Sequence, residues 1–180
     1  MKTLISEEQL REGIGRLADE IRRHYADKPL TLVGVLVGSI VLLADLIRLL
    51  DIPCRVELVQ SRERPQGTSR PGPLVVDPEL LVSGIRGRHV LLVDDIFHSG
   101  NTVWELIPQL DELGPETVRL AVLLRKEGQC RVPKQPDFVG FDIPNGFVVG
   151  YGLDYEDRYR HLPYIAMLEP QETGGSTPHV

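Results

Sequence analysis

A short apolar run that ends in two adjacent carboxylates constrains the fold of this 180-residue chain more than any other feature. Residues 90–93 are Val-Leu-Leu-Val, Asp94 and Asp95 follow directly, and a small polar loop containing Gly100 leads into a helical pattern at 103–113. Continuous apolar runs of this length are typical of strands that are buried on both faces of a parallel sheet. The segment therefore predicts a strand-to-helix turn with acidic residues at the carboxyl end of the strand.

Helical and strand patterns alternate along most of the chain. Ser6 and Gln9 match a capping box at the start of an amphipathic helix. The patterns predict helices at 7–26, 40–50 and 103–113, strands at 30–36, 56–59, 89–93 and 118–124, and short apolar runs at 138–141, 147–149 and 164–168. This alternation predicts an α/β protein with a mostly parallel, twisted sheet flanked by helices.

In such sheets, ligands bind beyond the carboxyl ends of the strands. Asp94 and Asp95 lie at one such end, and the turn at 37–39 follows another strand. A helix N-terminus with free backbone N–H groups attracts phosphate, and carboxylates suit sugar hydroxyls or a divalent cation. We therefore expect a site for a ribose-phosphate substrate at this edge.

Composition and charge limit the partners of the chain. A net charge of −6 and a pI of about 5.4 argue against a general nucleic-acid binder. The N-terminus turns acidic early and no stretch approaches 18 apolar residues, so we expect neither a signal peptide nor a membrane span. Cys54 and Cys130 form no framework, which favours reduced thiols in a cytoplasmic protein.

Two segments break the regular pattern. Residues 61–73 are polar and rich in Pro and Gly, which predicts a flexible lid loop over 61–76. Residues 169–180 are polar and predict a mobile tail after one domain at 1–168. The chain has no Gly-x-x-x-x-Gly-Lys-Ser/Thr stretch, which argues against a kinase-like phosphate site.

Several segments resemble one enzyme family. Residues 93–102, Val-Asp-Asp-Ile-Phe-His-Ser-Gly-Asn-Thr, resemble the phosphoribosyl-diphosphate signature of type I phosphoribosyltransferases. Three further segments resemble the hypoxanthine-guanine branch of that family. Residues 36–39 with 44–46 resemble its first pyrophosphate loop, residues 123–126 its purine-lysine segment, and residues 136–144 with 147–155 its C-terminal hood. The resemblance covers about 5–168 and implies the type I fold with a hood at about 126–168, a Mg²⁺ cofactor, and a homodimer or homotetramer.

The resemblance implies a reaction in purine salvage. A 6-oxopurine would displace pyrophosphate from phosphoribosyl diphosphate, so that hypoxanthine gives IMP and guanine gives GMP; xanthine is a further candidate base. The alternative is a catalytically weakened nucleotide-binding or regulatory protein on the same fold.

The resemblance also implies which residues bind the phosphoribosyl donor. Asp94 and Asp95 would hold the ribose hydroxyls, partly through metal-bound water, and Asp154 would be the direct Mg²⁺ ligand. The phosphate groups would be bound by Ser99, Gly100, Asn101, Thr102, Val37, Gly38 and Arg160. A cis peptide bond at Val37–Gly38 would turn N–H groups toward the pyrophosphate.

The purine would bind to residues in three segments. Lys126 would donate to the purine O6, Phe147 would stack on the ring, and Val148 would offer main-chain groups. Ile96 would complete the purine contacts.

Each of these residues also has a purely structural interpretation. The aspartate pair would equally serve as a helix N-cap with a solvated neighbour, and Lys126 as a solvated side chain. Phe147 would equally be a core aromatic, and Asp154 with Arg160 a surface ion pair of little consequence.

The chain departs from the family pattern near the reaction centre. The family has Asp at the position of His98, where it faces the purine N7 and is assigned as the base. A neutral histidine accepts a proton, whereas a nearby phosphate favours the protonated ring, which would donate to N7 instead. Ser61-Arg62 replaces the usual Ser-Tyr at the start of the lid, and Val37 replaces a common Lys.

Overall fold

The structure is a computed structural model that describes residues 1–60, 76–128, 132–169 and 171–172. In chain order its elements are β1 (Lys2–Ile5), α1 (Glu7–Tyr25), β2 (Leu30–Leu36), α2 (Ile40–Leu50), β3 (Cys54–Gln60), α3 (Pro78–Ile85), β4 (His89–Phe97), α4 (Asn101–Asp111), β5 (Thr117–Lys126), β6 (Phe138–Ile143), β7 (Val148–Val149) and β8 (Ile165–Met167). The predicted lid at 61–75, together with Cys130 and most of the tail, lies outside the described residues.

A five-stranded parallel sheet forms the centre of the molecule. Its strand order is β3-β2-β4-β5-β6, so β4 has a neighbour on each side. The helices α1 and α2 cover one face, and α3 and α4 cover the other. The predicted α/β class with a parallel, helix-flanked sheet is confirmed.

The first helix begins where the capping box predicts. The Ser6 hydroxyl accepts from the Gln9 N–H at 3.2 Å, and the Gln9 side chain accepts from the Ser6 N–H at 2.8 Å. The buried face of α1 contains Leu10, Ile14, Leu17 and Ile21, and it packs against α2 and β6. Burial of this stripe is the main source of helix stability here.

The prediction placed the end of β4 at Val93, which is too early. Asp94 and Ile96 stay paired with Val122 and Leu124 of β5, and the strand ends at Phe97. Because the backbone stays paired with β5, the two aspartates belong to the last four residues of the strand instead of following it. Similarly, α4 begins at Asn101, two residues before the predicted start.

Two elements were not predicted. The strand β1 is short and pairs antiparallel with β8 from the other end of the chain, a pairing that local sequence does not encode. The helix α3 does carry a local signal, because Asp77 caps it and Pro78 is its first residue. Val76, at the end of the predicted lid, is buried and its N–H donates to Gln109 Oε1 at 3.0 Å.

A small antiparallel sheet of order β1-β8-β7 lies beside the main sheet, where the hood was predicted. It draws on both ends of the chain, whereas β6, which falls within the predicted hood range, is the fifth strand of the main sheet. In the tail, Glu172 forms an ion pair of 2.5 Å with the N-terminal amine of Met1. Within the part of the chain that the structure describes, no helix is both long and apolar enough to span a membrane.

Candidate active site at the carboxyl edge of the sheet

Two adjacent carboxylates lie near the carboxyl end of β4, at the edge of the sheet. Asp94 is 7% exposed, and its Oδ1 accepts a hydrogen bond from the Asp95 N–H at 3.0 Å. Burial raises the pKa of Asp94 well above its ordinary range, and the neighbouring charge of Asp95 raises it further. Burial also raises the pKa of Asp95, although hydrogen bonds and the nearby Arg160 guanidinium oppose that shift.

The turn after β2 presses directly against this pair. A β-carbon built on Gly38 would lie 1.6 Å from Asp95 Oδ2, so only glycine fits between the turn and the carboxylate. The predicted cis bond at Val37–Gly38 is wrong by one residue, because the cis peptide is Leu36–Val37.

The loop at 150–160, called the hood loop below, contacts the same turn from the other side. A β-carbon on Gly152, whose φ is 99°, would lie 2.4 Å from the Gly38 carbonyl oxygen. The Arg160 guanidinium donates to the Gly152 carbonyl oxygen at 2.8 Å and pairs with Asp154 Oδ1 at 2.9 Å. The structure thus brings together Asp95, Gly38, Gly152, Arg160 and Asp154, of which the sequence analysis singled out all but Gly152.

Arg160 and its neighbours hold the Asp154 carboxylate on both oxygens. Asp154 Oδ2 accepts from the Asp157 N–H at 2.9 Å, while Oδ1 pairs with Arg160. A second Arg160 contact reaches Asp157 Oδ1 at 3.6 Å. The predicted Asp154–Arg160 pair is therefore real, and it lies within reach of the β4 carboxylates instead of on a remote surface.

The loop between β4 and α4 is the segment for which a phosphate cradle was predicted. Gly100 is the N-cap of α4 with φ 85°, and the buried Ser99 hydroxyl accepts from the Asn101 N–H at 3.4 Å. A β-carbon on Gly100 would lie 2.3 Å from the Val132 side chain. Asn101 and Thr102 form the first turn of α4, so their N–H groups are among those without an intrahelical acceptor.

The residues assigned to the purine lie on the neighbouring strands. Lys126 is the last residue of β5 and is 6% exposed, and its burial lowers the pKa of the ammonium group. Ile96 is paired with Leu124, and Val148 belongs to the same apolar cluster as both. A solvated Lys126 is therefore excluded.

Two further predicted site residues, Phe147 and His98, lie next to the segments described above. The Phe147 ring packs edge-to-face on Tyr155 at 5.4 Å between centroids, which places it beside the loop that carries Asp154. His98 is half-buried and directly follows the last residue of β4.

Comparison with known proteins shows the family to which the chain belongs. A family model described as a phosphoribosyl transferase domain matches residues 4–156. The chain belongs to the phosphoribosyltransferase family, and within it to the hypoxanthine-guanine branch.

The relatives of the branch match over nearly the whole chain. The chain is 36% identical to a hypoxanthine-guanine phosphoribosyltransferase of Streptococcus pneumoniae over 170 residues, covering 94% of each protein. A solved hypoxanthine-guanine phosphoribosyltransferase of Bacillus anthracis superposes with a TM-score of 0.80 at 34% identity, covering 94% of this chain and 98% of that one. The chain is also 38% identical over 170 residues to the bifunctional protein TilS/HprT of Listeria innocua, but spans only 26% of its length.

Replacing Asp94 by Asn should stabilise the ligand-free protein at neutral pH. Ionising the buried Asp94 costs the folded state free energy that an amide does not lose. Because its pKa is raised above the ordinary 3.8, that cost is absent below 3.8 and grows as the pH rises through the raised value. We therefore expect Asp94→Asn to exceed the wild type in free energy of unfolding near pH 8, with the difference vanishing toward about pH 4.

Urea unfolding across this pH range measures the effect. The exposed Asp27 is the matched control, since Asp27→Asn should leave the pH dependence of stability unchanged. An Asp94→Asn protein that is less stable than the wild type at every pH would contradict the argument.

Proposed function

We propose that the chain is a purine salvage phosphoribosyltransferase that transfers the 5-phosphoribosyl group from phosphoribosyl diphosphate to hypoxanthine or guanine. The products would be IMP or GMP and pyrophosphate. The observation that carries the proposal is the contact of Gly38 with both Asp95 and Gly152, which gathers acidic, basic and phosphate-binding groups at one sheet edge.

The phosphoribosyl donor would bind along this edge. The 5′-phosphate would take the N–H groups at the start of α4 and the Ser99 hydroxyl, and Gly100 would let the backbone approach it. Asp94 and Asp95 would accept hydrogen bonds from the ribose hydroxyls. The diphosphate would bind the turn at Val37–Gly38 and the Arg160 guanidinium.

The residues also fit the divalent cation that the family implies, in the form of Mg²⁺. Asp154 and the aspartate pair offer the hard oxygen ligands that Mg²⁺ prefers. Among the described residues no three His, Cys, Asp or Glu side chains gather into a metal cage. That donor set suits Mg²⁺ held by one or two carboxylates and completed by substrate phosphates and water. When bound, the ion would neutralise charge on the leaving diphosphate.

The protein would accelerate the reaction mainly by positioning and charge stabilisation. As the bond to pyrophosphate breaks, the ribose gains positive character, which the ionised aspartate pair would stabilise. Arg160 would take up negative charge on the departing pyrophosphate. Lys126 would donate to the purine O6, and its burial would exclude water from that contact.

A substrate-panel assay tests the function. With Mg²⁺ and phosphoribosyl diphosphate, we expect pyrophosphate release with hypoxanthine and guanine, weaker release with xanthine, and none with adenine, which has no O6. Lys126→Met, which keeps the apolar stem of the side chain, should lower kcat/KM for hypoxanthine about a hundredfold. Tight nucleotide binding without pyrophosphate release would overturn the proposal in favour of a regulatory protein.

We further propose that His98 limits turnover. It follows β4 directly and precedes the phosphate cradle, the position from which the family's aspartate acts on the purine N7. A histidine that is cationic beside a phosphate donates to N7 rather than accepting from it.

Restoring the acid should therefore speed the reaction. We expect His98→Asp to raise kcat about tenfold near pH 7.5 and to shift the pH optimum, measured in the same coupled assay. The matched control is His98→Asn, which approximates the size of Asp without its charge and should not recover the rate. An unchanged rate and pH profile in His98→Asp would refute the idea.

We also propose that the chain forms a homodimer or homotetramer through the outer face of α2 and β3. Four apolar side chains of this face are 40–49% exposed: Ile40, Ile47, Val56 and Leu58. A β-carbon built on Gly34 of β2 would lie 2.6 Å from Leu43 of α2 and 3.3 Å from Leu58, so Leu58 lies on the face of the sheet that α2 covers. Among the described residues no strand pairs with the outer edge of β3, and an unpaired edge strand suits pairing with a second copy.

A charge on this face should dissociate the oligomer. We expect Leu58→Lys to weaken self-association about tenfold or more, measured by sedimentation equilibrium. Trp104→Lys is the matched control, because Trp104 is 64% exposed but belongs to α4, which packs on β5 rather than on β3. A wild-type protein that stays monomeric, or equal loss in both variants, would sink this interface.

A further inference from the structure

A partly buried hydrogen bond joins the hood loop to α2 outside the residues that would touch substrate. Tyr151 is 9% exposed, and its hydroxyl donates to Asp45 Oδ2, although 106 positions separate the two residues. The other Asp45 oxygen accepts from Arg48 at 3.3 Å. Burial and the Asp45 carboxylate raise the pKa of Tyr151, so its hydroxyl remains a donor throughout the neutral range.

The backbone at Tyr151 takes a conformation that local preference does not supply. Its φ is 51°, between Gly150 at 100° and Gly152 at 99°. A tyrosine in the left-handed region is held there by its surroundings. The Tyr151 N–H donates to the Leu162 carbonyl oxygen at 2.8 Å, and the Gly152 N–H donates to the Arg160 carbonyl oxygen at 3.0 Å.

The Tyr151–Asp45 hydrogen bond lies one residue from the contact between Gly152 of the hood loop and the Gly38 turn. Gly152 contacts the Gly38 carbonyl oxygen, and Arg160 bonds the Gly152 carbonyl oxygen while pairing with Asp154. Asp45 is one turn and a half into α2, the helix that begins directly after the Gly38 turn. The Tyr151–Asp45 bond therefore ties the loop carrying Asp154 and Arg160 to the element that carries Gly38.

We propose that Tyr151 and Asp45 are a positioning pair, which sets the hood loop over the Gly38 turn and so places Asp154 and Arg160 opposite Asp95 for the diphosphate of the substrate. This inference rests on the proposed function. On the purine side, Lys126 and Ile96 belong to β5 and β4 of the central sheet. Phe147 and Val148 are held by β8, through the bond from the Leu168 N–H to the Phe147 carbonyl oxygen and the pairing of Val148 with Met167. Loss of the pair should therefore affect the two substrates unequally.

Steady-state kinetics of Tyr151→Phe test the unequal effect, because this variant removes one hydroxyl and keeps the ring. We expect the KM for phosphoribosyl diphosphate to rise about fivefold to twentyfold, and the KM for hypoxanthine to change less than about twofold. Asp45→Ala should match it, and Asp45→Asn, whose amide oxygen still accepts, should recover most of the loss. Tyr151→Phe combined with Asp45→Ala should be no worse than Asp45→Ala alone.

Tyr164→Phe is the matched control, because Tyr164 packs in the small apolar cluster of the hood and lies outside the loop contact with α2. It should leave both KM values unchanged. Equal increases in both KM values for Tyr151→Phe, or a lower melting temperature with both KM values unchanged, would overturn the inference and leave the pair a purely structural contact.

A binding measurement separates this inference from the proposed function. Titration calorimetry with Mg²⁺ and inorganic pyrophosphate should show the affinity falling about fivefold to twentyfold in Tyr151→Phe and staying constant in Tyr164→Phe. If the wild type transferred no phosphoribosyl group to any purine, the function would fail, while this titration would still decide the role of the pair. Equal pyrophosphate affinity in the wild type and Tyr151→Phe would overturn it.

Discussion

The close approach of backbone at Gly38 is the contact on which the rest of the site depends. The Asp95 carboxylate lies against its Cα on one side, and Gly152 lies against its carbonyl oxygen on the other. A single β-carbon at either glycine would force these segments apart, because close-packed backbone and buried carboxylate have little room to yield. The end of β4, the turn at 37–39 and the loop at 150–160 therefore lie close together although they are distant in sequence. Their packing fixes the positions of the charged side chains that they carry.

The electrostatics of this volume favour binding over stability. Burial makes the ionised forms of Asp94 and Asp95 costly in the ligand-free protein, and the pKa values of both are raised as a result. Arg160 offsets part of this cost for Asp95 while also neutralising Asp154. Positive ligands or hydroxyl donors that reach the aspartate pair would offset this desolvation cost, and the offset would add to the free energy of binding.

The features that distinguish this chain within its branch concern chemistry rather than architecture. The fold superposes on the solved hypoxanthine-guanine phosphoribosyltransferase of Bacillus anthracis with a TM-score of 0.80. His98 and Val37 lie on short turns outside the core, and under the proposed function their side chains would act on proton transfer and phosphate contact. Turns of this kind tolerate such changes because the strands before them are held by pairing on both sides.

Local sequence by itself determined the alternating strands and helices, the cap of α1 at Ser6, and the acidic strand end followed by a glycine turn. These features depend on hydrophobic period and on short hydrogen bonds, which a few neighbouring residues encode. Only the tertiary structure decided that β1 pairs with β8, that β4 continues through Asp94, and that Gly152 rather than any charged residue closes the site on Gly38. Those outcomes depend on partners tens to hundreds of residues away, and packing between distant segments leaves no periodic mark in a single chain.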